Sequence, residues 1–131
     1  MGIVVYNRTI ETHTGPDNYP IYRPNILGNP YDFEVGKKTL AIYKVRNRDE
    51  AIERYSSYFD MMYSGNVQFK AVVDEIYEKY KSGKTVYLEC YCAPKPCHGD
   101  IIKQKLEQRL LREKIREIND KYKEKKMAEI L

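Results

Sequence analysis

The chain has 131 residues and a formal net charge of +4, and it contains 13 tyrosines but no tryptophan. This length suits a single domain that buries a core without disulfide bonds. No apolar run is long enough to span a bilayer, and the first residues lack the basic start and cleavage site of a signal peptide. We therefore expect a cytoplasmic protein with no membrane partner.

The positive charge is concentrated near the C-terminus. Residues 100–131 carry ten Lys and Arg against seven Asp and Glu, which leaves little excess elsewhere. Mixed charge of this kind is typical of the solvated face of an amphipathic helix. A nucleic-acid partner bound by the lysines and arginines of residues 103–126 therefore ranks lowest among the partners considered.

The first third of the chain predicts two extended segments joined by turns. Residues 2–6 form a short apolar run typical of a buried strand, and the polar residues up to position 18 predict a loop. Residues 20–24 contain two prolines, which remove donors from a sheet, so this segment is an edge strand or an extended loop. Gly28, Asn29 and Pro30 predict a tight turn.

Two helices are predicted in the middle of the chain, preceded by a strand candidate at residues 40–45. Asp49 is the predicted N-cap of a helix that runs to about Tyr63. Asn66 is the predicted N-cap of a second helix, which ends at Gly83. Apolar and aromatic side chains recur at helical spacing in both, and we assign them to the core rather than to a cofactor site.

All three cysteines lie between a predicted strand at residues 85–89 and a long helix predicted from about residue 99 to 129. In an open α/β sheet, ligands bind at this end of a strand. The helix is longer than the domain can cover, and its second apolar stripe has the spacing of a coiled-coil seam: Leu111, Ile115, Ile118 and Tyr122. This stripe either folds back on the domain or pairs with a second copy to give a homo-oligomer.

These elements predict an α/β fold: a small single domain with a short, largely parallel sheet flanked by helices, plus a long C-terminal helix. We assign residues 1–106 to an α/β ligand-binding domain. Residues 107–131 form a C-terminal helical extension.

Two motifs resemble those of a phage-associated domain-of-unknown-function family. Residues 22–30, Tyr-Arg-Pro-Asn-Ile-Leu-Gly-Asn-Pro, are similar to its Gly-Arg-Pro…Gly-Asn-Pro loop but have Tyr22 where the family usually has Gly. Residues 90–98 match its Cys-x-Cys-Ala-Pro-x-x-Cys-His segment. The resemblance covers residues 1 to about 106 and implies a compact α/β domain encoded by a phage and working in the host cell cytoplasm. It implies no established activity.

We expect the two motifs to form opposite walls of one site for a nucleotide or ribose-phosphate derivative, with no cofactor. A helix N-terminus after Pro96 would meet a phosphate together with Arg23 or Lys95. Tyr22, Tyr31 or Tyr91 would stack a base, while Asn29 and Asp100 would contact hydroxyls or ring edges. The predicted ligand-binding residues are Tyr22, Arg23, Pro24, Gly28, Asn29, Pro30, Cys90, Cys92, Lys95, Cys97, His98 and Asp100.

The sequence has no catalytic triad order, phosphate-loop glycine pattern or paired-carboxylate spacing. We therefore favour binding without turnover, such as the sequestration of a host nucleotide immune signal by an anti-defence protein. One alternative is an enzyme of nucleotide or N-glycosyl metabolism that uses the Cys/His/Asp cluster, either through a Cys thiolate or with Asp100 as acid or base. Another is a nucleic-acid-binding module stabilised by zinc on Cys90, Cys92, Cys97 and His98, although their spacing differs from that of the usual zinc knuckles.

Overall fold

The structure is a computed structural model that describes residues 2–32 and 43–130. In chain order its elements are β1 (Gly2–Asn7), β2 (Asn18–Pro20), β3 (Tyr31–Asp32), β4 (Tyr43–Lys44), α1 (Arg48–Gly65), α2 (Val67–Lys81), β5 (Thr85–Cys90) and α3 (His98–Ile130). Of the strand candidate at residues 40–45, the part from Tyr43 to Lys44 forms β4, and residues 40–42 lie outside the described residues.

The predicted α/β fold is confirmed. Three strands form one sheet in the order β1-β5-β2, and both pairs are parallel. The register pairs Asn7 with Cys90 and Pro20 with Glu89, so all three strands finish at the same edge. The strand β2 lies at the edge of the sheet. Its terminal Pro20 has no amide hydrogen to donate, and an edge position tolerates this. The short β3 and β4 pair separately, also in parallel.

The two faces of the sheet differ in chemistry. Ile3, Val86 and Leu88 belong to a single buried cluster that includes apolar side chains of all three helices. Tyr6, Tyr87 and Glu89 occupy the alternate positions, which point to the opposite face. There the ring of His13 stacks on Tyr87 with centroids 3.8 Å apart, and the Tyr6 hydroxyl donates to Glu89 at 2.8 Å. A polar loop therefore covers this face in place of a helix.

The helix caps agree with the sequence at one helix and differ at the other. Asn66 caps α2 as predicted, since its side-chain oxygen accepts from the Phe69 amide at 2.9 Å. The cap of α1 is Asn47 and not Asp49, because the extended Asn47 accepts from the Glu50 amide at 2.9 Å. Asp49 lies inside the first turn, where its negative charge meets the positive end of the helix dipole.

The helix α3 comprises 33 residues and is therefore about 50 Å long. Ile102 and Leu106 are buried in the core, whereas Leu111 and the residues that follow it in the predicted seam are exposed. Leu110 also packs against the core, so about the first three and a half turns belong to the domain and the second half extends from it. No helix in the described residues is both long and apolar enough to cross a membrane.

Close packing fixes the start of α3 against the sheet. A Cβ atom at Gly99 would lie 2.8 Å from Cγ1 of Val5 and 2.9 Å from Cδ1 of Ile21. Only glycine lets the helix approach this closely, because Val5 is β-branched and has little freedom to move. Gly99 therefore sets the distance between α3 and the ends of β1 and β2.

We predict that Gly99→Ala lowers the free energy of unfolding by about 1–3 kcal/mol, because the added methyl group overpacks this contact. Urea denaturation followed by circular dichroism measures the change. Gly65→Ala is the matched control, since a Cβ there has no neighbour within 4 Å. Equal stability of the two variants would show that the α3 contact is not tight.

Candidate functional site

A cleft of about 140 Å³ lies at the carboxyl ends of the parallel strands. One wall is the segment that follows β2, a second is the first turn of α1, and the third runs from the end of β5 to the start of α3. The side chains and backbone that line it are Tyr22, Arg23, Asn29, Tyr31, Arg48, Ala51, Ile52, Cys90, Tyr91, Cys92, Pro96, Cys97 and His98. The two motifs of the sequence therefore do face each other across one cavity.

Seven of the twelve predicted ligand-binding residues line this cleft: Tyr22, Arg23, Asn29, Cys90, Cys92, Cys97 and His98. The other five shape it from behind or lie outside it. Pro24 and Lys95 are exposed, and the Lys95 amide closes a turn onto the Cys92 carbonyl at 2.9 Å. The Pro30 carbonyl accepts from the Tyr43 amide at 2.9 Å, which starts the small β3–β4 ladder.

Asp100 and Gly28 have structural roles. The Asp100 carboxylate accepts from the Cys97 amide at 3.1 Å and so caps α3 from its exposed side. A Cβ at Gly28 would lie 3.0 Å from the Asn25 carbonyl oxygen and 3.1 Å from the Arg23 Cα atom, so glycine is what lets this loop close. The loop in turn presents the Arg23 side chain to the cleft.

The Arg23 guanidinium is oriented by main-chain carbonyls. It donates to the carbonyl oxygens of Asn29 at 3.0 Å and Tyr31 at 3.4 Å. No carboxylate in residues 2–31 and 43–130 forms an ion pair with it. The Asn29 amide group donates to the Ala51 carbonyl at 3.1 Å and so anchors the loop to α1. Arg23 therefore brings a positive charge to the cleft, and among residues 2–31 and 43–130 no carboxylate pairs with it.

Arg48 is a second cation in the cleft, and the sequence analysis did not find it. It is the first residue of α1, and its guanidinium lies 3.4 Å from the Pro96 carbonyl oxygen. A positive side chain is unfavourable at a helix N-terminus because it meets the positive end of the dipole. A positive residue at the start of a helix could have drawn attention to Arg48 in the sequence. That inference depends on the cap being Asn47, because a cap at Asp49 would place Arg48 before the helix.

An aromatic rim borders the cleft. The rings of Tyr22 and Tyr91 meet edge to face with centroids 4.9 Å apart. The Arg8 guanidinium lies 5.4 Å and 5.5 Å from these two centroids and donates to the Tyr22 hydroxyl at 2.7 Å. Tyr31 stacks on Tyr43 with centroids 5.2 Å apart. All three tyrosines that the sequence offered for stacking a base therefore contact the cleft.

The floor of the cleft contains a pair of cysteines. The sulfur atoms of Cys90 and Cys97 are 3.8 Å apart, and both side chains are buried. The hydrogen bond from the Cys97 thiol, together with the Ala93 and Cys92 amides, lowers the pKa of Cys90 below its ordinary value. The same hydrogen bond and burial raise the pKa of Cys97. The pair therefore favours a thiolate on Cys90 and a thiol on Cys97.

His98 is a buried structural contact as well as a lining residue. Its Nε2 atom lies 2.6 Å from the carbonyl oxygen of Ile21, so Nε2 carries the proton and donates it. The ring also meets Tyr55 edge to face at 4.9 Å. Burial lowers the pKa of His98 to about 4, so the ring is neutral at physiological pH.

The four residues of the zinc alternative do not converge on one point. The His98 Nε2 atom donates a hydrogen bond to the Ile21 carbonyl oxygen. The sulfur of Cys97 accepts from the Gly99 amide at 3.3 Å and caps α3. Among residues 2–32 and 43–130, no group of three or more His, Cys, Asp or Glu side chains is placed to hold a metal ion. Cys90 and Cys97 instead accept from the Ala93 and Gly99 amides and so stabilise the turn between β5 and α3.

The fold and this cleft define a small α/β domain with a positively charged, aromatic-rimmed cavity. Residues 4–108 match the family described as Domain of unknown function (DUF4326), and the chain therefore belongs to that family. The match ends two residues beyond Leu106, a buried residue of α3. Neither the curated proteins nor the solved structures contain a match to this chain.

We predict that the protein loses stability in mild acid because of His98. Its pKa is about 4 in the folded chain and about 6.5 when unfolded, so the unfolded chain binds the extra proton first as the pH falls. The contribution is complete above about pH 6.5 and falls by about 3 kcal/mol as the pH approaches 4. Urea denaturation at several pH values measures this slope.

His98→Gln, which keeps a side-chain donor but does not titrate, is the matched variant for this test. It should show a smaller dependence of unfolding free energy on pH across this window, whatever its stability at neutral pH. NMR titration of the native protein gives an independent answer. A His98 ring that titrates at its ordinary pKa would contradict the assignment of a buried neutral imidazole.

Proposed function

We propose that this protein binds a nucleotide or a ribose-phosphate derivative in the cleft. The observation that carries the proposal is the lining itself, which contains Arg23 and Arg48 and no carboxylate among the described residues. The helices α1 and α3 both begin at this cavity. A phosphate group is the anion that such a combination fits best.

The size and rim of the cleft indicate how such a ligand would lie. Pockets that enclose a whole small molecule are commonly about 300–1,000 Å³, and this one is about 140 Å³. The cavity therefore suits a phosphate with part of the attached ribose. The base would remain at the rim, where the exposed Tyr91 and the half-buried Tyr22 offer ring faces.

Binding without turnover is the form of this function that we favour. Asp100 faces solvent and caps a helix, and the neutral His98 donates its Nε2 proton to a main-chain carbonyl. Neither group is therefore placed as an acid or base at the cleft. A phage protein that sequesters a host nucleotide signal in the host cytoplasm would need affinity and no such groups.

One observation favours a second candidate, an enzyme of nucleotide or N-glycosyl metabolism. Cys90 lines the cleft, and the hydrogen bond from Cys97 favours its thiolate, which is the nucleophilic form. Since Cys90 is 1% exposed, a ligand would have to enter the cleft fully to reach it.

We predict that Arg23→Ala and Arg48→Ala each weaken ligand binding about tenfold or more, because each removes a charge-assisted contact worth about 1.5–3 kcal/mol. Thermal-shift screening with inorganic phosphate, ribose 5-phosphate, mononucleotides and cyclic dinucleotides identifies the ligand, and titration calorimetry measures the loss. Arg54→Ala is the matched control, since Arg54 lies on α1 and pairs with Glu50 at 3.5 Å outside the cleft.

The affinities of the native protein and the three variants for the ligand test the proposed binding site. Loss of binding in the Arg23 and Arg48 variants, with binding kept by the Arg54 variant, would support the cleft. Equal affinity of all four proteins for the ligand would place binding elsewhere. A wild-type protein with no response to any phosphate-bearing compound in the panel would contradict the proposed ligand class.

Turnover is tested with the same ligand. We predict that the ligand is recovered chemically unchanged after long incubation with the native protein, as measured by mass spectrometry of the deproteinised mixture. A product that forms with the native protein and not with Cys90→Ala would establish the enzyme instead. Cys92→Ala is the control, because Cys92 lines the same cleft outside the Cys90–Cys97 pair.

A further inference from the structure

The part of α3 beyond the domain carries an apolar seam that no described residue covers. Its members, Leu111, Ile115, Ile118 and Tyr122, are 58%, 49%, 66% and 60% exposed. Successive side chains turn by about 100° around a helix, so these four fall within about 60° of one another. That width is typical of a coiled-coil seam. A helix that lies on a membrane or against a globular domain needs a broader apolar face.

Positive side chains line both sides of the seam. Between residues 111 and 126, the exposed cations within about 90° of its midline are Arg112, Lys114, Lys121, Lys125 and Lys126. The acidic residues of the same stretch lie on the opposite side of the helix: Glu113, Glu117, Asp120 and Glu124. The helix is thus polarised in charge as well as in hydropathy.

A groove where α3 passes α1 adjoins the start of the seam on the side of Arg112. It has a volume of about 520 Å³, and its charged lining residues are Asp60, Lys105, Arg109, Arg112, Glu113 and Arg116. Lys105 pairs with Asp60 at 3.0 Å, and Arg109 pairs with Asp74 at 2.9 Å. Within residues 2–32 and 43–130, Arg112 and Arg116 form no ion pair. Arg112, which borders both the groove and the seam, therefore has no ion-pair partner among these residues.

A second copy of this chain does not suit these charges. Antiparallel pairing that sets Leu111 on Tyr122 and Ile115 on Ile118 would bring Lys114 of each copy near Lys121 of the other. Parallel pairing would bring Lys121 of each copy near Lys126 of the other. Like charges beside a seam are destabilising, so self-association on this face works against the electrostatics.

We propose that this seam binds a helix of another protein whose own apolar seam is flanked by Asp or Glu. Such a helix would cover the four exposed apolar side chains and pair its carboxylates with the flanking lysines and Arg112. In coiled coils the charges at these flanking positions select the partner and its orientation. The surface therefore specifies an acidic partner by the same residues that disfavour a second copy.

The test uses the full chain and two synthetic peptides of about four heptads. Both have Ile and Leu at the seam positions, but one has Glu at the flanking positions and the other has Lys. Titration calorimetry at low salt should give a dissociation constant at least about tenfold lower for the Glu peptide. The advantage should shrink at high salt, since exposed charges are screened.

Variants of the native chain assign the binding to this surface. Ile115→Asp combined with Ile118→Asp should abolish binding, because it places charge in the seam. Combined Arg112→Glu, Lys114→Glu and Lys121→Glu should reverse the preference toward the Lys peptide. Asp120→Ala is the control on the opposite side of the helix and should bind as the native chain does. All these positions are exposed, and circular dichroism verifies that the variants fold.

Three results would overturn the proposal. The first is equal affinity for the two peptides, or binding that survives the double Asp variant. The second is a native chain that dimerises in sedimentation experiments and becomes monomeric in the double Asp variant, since the occupant is then a second copy. The third is flotation with anionic vesicles that the double Asp variant loses, in which case the occupant is a lipid surface.

Discussion

The hydrogen bond from His98 to the Ile21 carbonyl joins the two halves of the cleft. Ile21 follows the last residue of β2, and His98 is the first residue of α3, so a contact of 2.6 Å links segments that are 77 residues apart in the chain. Because both groups are buried, breaking this bond would leave a donor and an acceptor without water. This hydrogen bond is therefore a condition for the cleft to keep its shape.

The same small region carries opposing electrostatic demands. A thiolate on Cys90 would be costly to bury on its own, and the Cys97 thiol and the Ala93 amide supply the hydrogen bonds that stabilise it. Arg23 and Arg48 add positive charge to the same cavity, and burial keeps His98 neutral beside them. The two arginines would stabilise either an anion bound at the mouth or a thiolate at the floor. The binding hypothesis and the enzyme hypothesis therefore differ only in whether a ligand reaches the Cys90 sulfur.

The sequence predicted the elements that surround the cleft because its signals were local. Asn66 before a helical stripe and the cysteines after an apolar strand each depend on neighbours a few residues away, and the structure confirms both elements. The roles of individual residues depend on contacts between distant parts of the chain, and the sequence alone could not predict them. Asn47 and Asp49 are both good caps, and only the backbone conformation of Asn47 separates them. Nothing near His98 in the sequence indicates that its partner is Ile21.

The continuity of α3 connects the two surfaces without merging them. His98 begins the helix at the cleft and Leu111 begins the exposed seam 13 residues later, a separation of about 20 Å along the axis. No Pro or Gly interrupts the helix between Gly99 and Ile130, so both regions lie on one continuous helix. A helix docked on the seam would then lie beyond the domain and leave the mouth of the cleft open. On this geometry, partner binding would place the α/β domain at a chosen location without controlling access to its cleft.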